Sequence, residues 1–159
     1  MISWLTDTII GKMTMTFLIS MLPVVELRLG LPYGIAIGLD YPLALLSAIV
    51  GNLLPVPFII LFIKNVLAFL RKKFAKLDGF ITRLEDRANE KGEMVKKFGL
   101  IGLCLLVAIP LPGTGAWTGA LVAALMGMKL RRAMPAIIIG VLIAAAIMTG
   151  VTFGVIHLV

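Results

Sequence analysis

Charge is scarce in this sequence. Only 14% of its 159 residues are charged, and acids are the rarer sign, with eight Asp and Glu against fifteen Lys and Arg. Cysteine and histidine occur once each, as Cys104 and His157. A single cysteine excludes an intrachain disulfide and a cysteine-built metal site, so no metal and no cofactor is expected. Cys104 reads as a small buried apolar residue, and His157 falls at a helix end, at the membrane interface.

Apolar residues take the place of charge. They make up 60% of the chain, with a mean hydropathy of +1.09, whereas soluble domains are roughly half apolar. The chain reads as an all-α integral membrane protein. Segments 43–63 and 135–158 each have about the 20 residues needed to cross the hydrocarbon as helix. The start, MISWLTDTIIGK, has Asp7 before its first cation and no small-residue cleavage site, so it does not read as a removable signal peptide. Residues 1–12 are expected as an interfacial helix with Trp4, Leu5, Ile9 and Ile10 on one side.

The cations cluster in RKKFAKLDGFITRLEDRANEKGEMVKK, from Arg71 to Lys97. Apolar residues recur at helical spacing through it and just before it, at Val66, Leu70, Phe74, Leu77, Phe80, Ile81, Leu84 and Ala88. Residues 64–97 are therefore expected as an amphipathic helix along the cytoplasmic membrane surface. The interleaved acids argue for a solvated face and against nucleic acid as partner. By the positive-inside rule both this segment and Lys129–Arg132 are cytoplasmic, while Lys12 and Asp40 are outside.

Segment 98–128 is then apolar yet begins and ends on the same side. Its middle, VAIPLPGTGAWTG, breaks a helix at Pro110, Pro112, Gly113 and Gly115, which predicts a re-entrant hairpin. A shift of 89 positions lays Pro23 on Pro112, Gly30 on Gly119, Gly38 on Gly127 and Gly51 on Gly140. Residues 13–39 are accordingly expected as a first re-entrant hairpin. Each hairpin followed by one span makes a repeat, and the two repeats have inverted topology. Single membrane domain, two repeats and a joining cytoplasmic helix complete the expected architecture.

Broken backbone at mid-membrane must meet protein or water, so the two tips are expected to meet each other. Gly30, Pro32, Pro112, Gly113, Thr114 and Gly115 would supply helix N-termini there, an anion-binding arrangement with the Thr114 hydroxyl as cap. Glu26 and Arg28, two residues apart at the first tip, are expected to pair, either as a structural pin or as a substrate and proton site. Trp117 is a core aromatic or a cavity wall. Asn52, beside Pro55 and Pro57, faces the cavity or makes an interhelical hydrogen bond. No catalytic residue is assigned, because the apolar segments hold no Ser–His, Cys–His or carboxylate pair, and the chain reads as a non-enzyme.

PVVELRLGLPYGIAIG, GNLLPVPFII and IPLPGTGAWTGALVAALMG resemble the signature stretches of the small multidrug export protein family, a relative of the DedA superfamily. The resemblance implies a multi-pass protein of a prokaryotic inner membrane with a transport role. It also implies proton-linked movement of an anionic lipid or lipid-carrier phosphate, with Glu26 at the position of the acid in the first DedA hairpin. PLPGTGAW lacks the arginine that DedA proteins tend to carry in the second hairpin. The partners expected are membrane lipids, an amphiphilic or lipid-phosphate substrate, protons and a second copy of the chain. The alternatives are proton-coupled export of lipophilic cations and a non-transporting scaffold.

Overall fold

In the computed structural model, residues 7–111 and 113–158 are described, the side chains as far as 155. Trp4 and Leu5, part of the expected interfacial helix, lie outside the described residues, as do Pro112 and the side chain of His157. The described residues are helical with no strand.

Helix α1, Ile9–Met21, starts at Thr8, whose Oγ1 accepts from Gly11 N at 3.1 Å. Ile9 and Ile10 therefore belong to α1 and not to a separate element. The helix ends just before Pro23, as the restricted residue preceding a proline requires. Helix α2, Glu26–Ala36, folds back along α1, with Gly30 against Ser20 and Gly34 against Thr16. Its end is a left-handed glycine cap: Gly38, at φ 77°, donates to Ile35 O and Leu39 N donates to Gly34 O.

Helix α3, Tyr41–Leu53, leads into α4, Pro55–Lys73, through Leu54, which keeps α-helical dihedrals. The two form one 33-residue helix, Tyr41–Lys73. Pro55 and Pro57 interrupt its bonding because they have no N–H to offer the carbonyls four residues back. Residues 64–73 thus continue the apolar helix instead of opening the amphipathic one.

After a short 3₁₀ turn, Ala75–Leu77, helix α5 runs over Asp78–Ala108. Arg71 fastens the corner by bonding Asp78 at 2.8 Å and Glu85 at 2.9 Å. Within α5, Gly99 has φ 58° and ψ −132°, outside any helix. The chain bends there so sharply that Gly102 lies on the backbone of Met94 and Val95, residues that a straight helix would hold about 10–12 Å away. The buried stripe of the basic half is Ile81, Ala88, Gly92 and Val95. Phe74, Leu77 and Phe80 are exposed, so the expected apolar stripe is divided between a face toward the protein and one turned outward.

Helix α6, Ala116–Leu125, and α7, Leu130–Leu158, follow. Pro135 lies inside α7, in its second turn, so the helix begins before the proline and not at it. Positions 89 apart share local structure. Gly127, at φ 69°, donates to Ala124 O and Met128 N to Ala123 O, repeating the bonds at Gly38 and Leu39. Helices α3 and α7 then begin at Tyr41 and Leu130, the same distance apart. Gly51 seats on the backbone of Phe17 in α1, and Gly140 seats on Val107 and the Cys104 carbonyl in α5. A Cβ would come within 2.3 Å of Phe17 O at the first and 2.7 Å of Val107 Cβ at the second, so only glycine permits these approaches.

The core gathers Leu27, Leu31, Val56, Leu103, Val107 and Ile137 with many alanines, which lets the helices pack closely. Two helices, Tyr41–Lys73 and Leu130–Val155, are long and apolar enough to cross a bilayer. Only 44% and 39% of their most apolar windows are buried in the protein. Phe58, Leu61, Phe62, Ile139, Leu142 and Ile147 project outward from them, as they would toward lipid rather than water.

Candidate functional site

Two turns, 22–25 after α1 and 109–115 after α5, form the tips of the two helical hairpins. Both carry positive φ at matching positions. Val24 and Glu26 have φ of 77° and 50°, while Gly113 and Gly115, 89 positions on, have 74° and 130°. Glycine adopts such angles freely, but a β-branched valine and a glutamate do so at a cost of about 1–3 kcal/mol each. A conformation of this kind in a non-glycine residue persists only where its surroundings hold it.

Contacts of the Glu26 side chain hold it. Its carboxylate, on a residue 3% exposed, accepts from Ala116 N at 3.2 Å and Trp117 N at 3.0 Å. These are the first amides of α6, so the acid of one hairpin caps the second limb of the other, where the helix dipole is positive. Gly115 leaves the room required, since a Cβ there would stand 1.9 Å from Glu26 Oε2. The cap of α6 is therefore Glu26 and not the expected Thr114 hydroxyl.

Arg28 is bound at the opposite pole. Its guanidinium donates to Leu111 O at 2.6 Å, Ile109 O at 3.0 Å and Thr114 Oγ1 at 2.7 Å. The two carbonyls lie just past the end of α5, at the negative end of its dipole. Thr114 Oγ1 also accepts from Leu111 N at 3.2 Å, and its one proton has Ile109 O and Leu111 O to choose from, each at 2.7 Å. Glu26 and Arg28 thus do not form the expected ion pair with each other. Each carries its charge to a helix end of the facing hairpin, because the left-handed start of α2 separates the two side chains.

Trp117 stands 89 positions after Arg28 and returns the contact. Its indole Nε1–H donates to Met21 O at 3.1 Å, at the end of α1. The geometry also includes Lys91, which by charge pattern belongs with the solvated cations of the basic helix. Its Nζ donates to Gly113 O. Burial, with the nearby charges of Arg28 and Arg87, pushes its pKa below the usual lysine value. No local sequence signal distinguishes Lys91 from Lys96 or Lys97, because only the bend at Gly99 turns it toward the tip.

Glu26, Arg28, Gly113, Thr114, Gly115 and Trp117 are thereby brought together. Gly30 and Pro32 are not at a helix start, since α2 begins at Glu26 and carries both in its interior. Gly30 packs on Ser20 instead. Asn52 is 3% exposed, and its Oδ1 has no hydrogen-bond partner, so the interhelical bond is not made through that atom. Among the described residues no group of His, Cys, Asp and Glu could hold a metal ion.

The family model described as "Putative small multi-drug export protein" matches residues 26–147, more than half of the chain, and begins at Glu26. The chain belongs to this family. No curated protein and no solved structure gives a significant match.

Proposed function

We propose that this family member is a small multi-pass transporter that carries an anionic lipid or lipid-carrier phosphate together with a proton, in the manner of DedA proteins. In this reading the two helical hairpins are re-entrant, belong to inverted repeats and meet near the bilayer midplane. The lengths support it. Helix α6 has 10 residues, about 15 Å of rise against a hydrocarbon core of about 30 Å. A limb that short reaches the middle and turns back.

The observation that carries the proposal is the Glu26 carboxylate on the amides of Ala116 and Trp117. A helix N-terminus is a ready anion site, and here an internal carboxylate fills it. Arg28, half-buried at the tip, sets a cation near it. Ionised Glu26 is a good cap, whereas protonated Glu26 loses the charge that holds it to the helix end. A proton arriving at Glu26 frees two amides for a phosphate oxygen, and Arg28 offers its planar fork to the same group. Release of the proton on the other side returns the carboxylate and expels the anion.

The family description names drug export, which keeps one second reading in view: Glu26 exchanging a lipophilic cation for a proton. Arg28 opposes a cation at that position electrostatically. A homodimer is part of the proposal. Gly34 and Gly119 are filled by the chain's own Thr16 and Val107, whereas Gly150 and Gly154 on α7 have nothing within 4 Å and leave room for a second copy. No enzymatic step is assigned.

The test is reconstitution in liposomes under a pH gradient, with a fluorescent lipid phosphate in one set and a quaternary ammonium dye in another. The proposal expects gradient-dependent movement of the lipid phosphate. Movement of the dye alone would overturn it.

A further inference from the structure

Two buried side-chain oxygens among the described residues have no hydrogen-bond partner, Ser20 Oγ and Asn52 Oδ1. In an apolar interior each such atom costs about 1–3 kcal/mol. Ser20 Oγ is closed in against Gly30. Asn52 has a different situation. Helices α2 and α3 are joined by the short turn at 37–40 and run antiparallel, with Gly34 packed on Ala44. Eight residues from Gly34 toward the tip is Glu26, and eight from Ala44 along α3 is Asn52. At 1.5 Å per residue both lie about 12 Å from the shared contact, so they stand at one level. Ala44, Ala48 and Asn52 follow one ridge at spacing four, and all are buried.

We infer that Asn52 is a positioning residue for the proton-carrying step: its Oδ1 accepts the O–H of Glu26 when Glu26 is protonated. This rests on the reading of Glu26 as proton carrier. An ionised carboxylate is an acceptor only, and so is an amide oxygen, so the two make no bond while Glu26 caps α6. Protonation turns one carboxyl oxygen into a donor. The partnerless acceptor of one state becomes the satisfied acceptor of the other, and the carboxyl leaves Ala116 and Trp117 for Asn52. The proton comes from water, resides on Glu26 and returns to water, and no other bond is made or broken.

The other charges around Glu26 do not supply this acceptor. Arg28 shares its helix and is held by hairpin carbonyls. Lys91, from α5, is held by Gly113 O and sits near Arg87. Helix α6 has no ionisable side chain, and α3 has only Tyr41, which bonds Thr149 at the far end. On α1, Lys12 reaches Gly38 O, also remote from the tip. Helix α7, which packs on α2, carries Arg131 and Arg132 in its first turn, and as cations they offer no acceptor.

Infrared difference titration of the full-length protein in nanodiscs reads the Glu26 carboxyl directly, with Glu26→Gln identifying its band. Asn52→Leu removes the acceptor of the protonated form, so the titration midpoint should fall by about one pH unit, roughly tenfold in proton affinity. Asn52→Thr keeps an acceptor and should recover part of the shift. Because Asn52 Oδ1 bonds nothing in the ionised state, Asn52→Leu should be as thermally stable as the parent at high pH, or more so. An unchanged midpoint in a folded Asn52→Leu protein overturns the inference. So does an equal loss of stability at every pH, which is the mark of a purely structural asparagine. The titration needs no substrate, so the inference can fail while lipid transport stands, and transport can fail while the titration shift remains.

Discussion

Arg28 and Trp117, 89 positions apart, each donate across the molecule to the end of the first limb of the other's hairpin. Arg28 reaches the carbonyls of Ile109 and Leu111, and Trp117 reaches that of Met21. The two tips are thereby tied by one charged and one neutral clasp, with the Glu26 cap between them. The clasps are unequal in strength, and that inequality can be measured.

Trp117→Phe removes one neutral hydrogen bond while keeping an aromatic ring, and should cost about 0.5–1.5 kcal/mol. Arg28→Ala strips charge-assisted bonds from two carbonyls and from Thr114 and should cost more, about 1.5–3 kcal/mol. Thermal unfolding in detergent checks the order. The double variant should be less destabilised than the sum, since once one clasp is gone the tips separate more easily.

Gly115 has no spare room, because the Glu26 carboxylate occupies the position of its missing side chain. Gly115→Ala should therefore displace Glu26 from Ala116 and Trp117 and destabilise strongly, by about 3 kcal/mol or more. Adding Glu26→Ala should recover part of that loss by vacating the space, though the φ of 130° remains unfavourable for alanine. Gly79→Ala, in the first turn of α5 where nothing lies within 4 Å, serves as the control and should be neutral or mildly stabilising.

Val24 is 88% exposed and holds φ at 77°. Nothing packs on it to justify a β-branched residue in that conformation. Val24→Gly should stabilise by about 1 kcal/mol, the relieved strain exceeding the entropy that glycine adds to the unfolded chain. The reverse change at the matching position, Gly113→Val, should destabilise, since it introduces the strain and meets Lys91 Nζ at 3.0 Å. Chemical denaturation of the pair reports both signs.

Lys91 gives a pH dependence. Burial and the neighbouring cations lower its pKa in the folded protein, so the charged form is the one that folding disfavours. Well below the folded value, Lys91 is protonated in both states and the penalty is constant. As pH rises through the folded value toward the ordinary lysine range, the folded protein sheds the proton first and stability increases. The stability of the parent relative to Lys91→Gln should accordingly grow between neutral and alkaline pH. A difference that does not change over that window contradicts the assignment.

The punctuation of the fold was legible locally. Prolines and glycines are constrained by their own backbone, so Pro23, Gly38, Gly113, Gly115 and Gly127 mark turns and caps wherever they occur, and the 89-residue register could be counted from the pairs Pro23/Pro112, Gly30/Gly119, Gly38/Gly127 and Gly51/Gly140. The residues of the site were also legible as types, because Glu26 and Arg28 are costly in an apolar segment. Their partners were not. Spacing suggested that the acid and the base pair with each other, but positive φ at Val24 and Glu26, unexpected for these residue types, sends them to different helix ends. Lys91 was invisible for a related reason: its neighbours come from a bend at Gly99 that charge pattern does not encode.

The decisive prediction separates the two transported classes. If the α6 N-terminus and Arg28 hold an anionic headgroup, Arg28→Ala should abolish movement of the lipid phosphate. Arg28→Lys should retain part of it, because the charge survives while the two-pronged donor fork is lost. Glu26→Gln should still bind the lipid phosphate, yet its translocation should no longer respond to the pH gradient, since a glutamine carries no proton. Cation export requires the opposite order, with Glu26→Gln losing the quaternary ammonium dye and Arg28→Ala tolerated or improved. Removing either group also leaves buried partners unsatisfied, the amides of Ala116 and Trp117 in one case and the Ile109 and Leu111 carbonyls in the other. Each variant must therefore first unfold cooperatively near the parent's temperature. The double variant Glu26→Gln/Arg28→Ala should be inactive with either probe. Equal activity in the parent, both single variants and the double would remove the tips from the transport path and leave Glu26 and Arg28 as the pins of a fold.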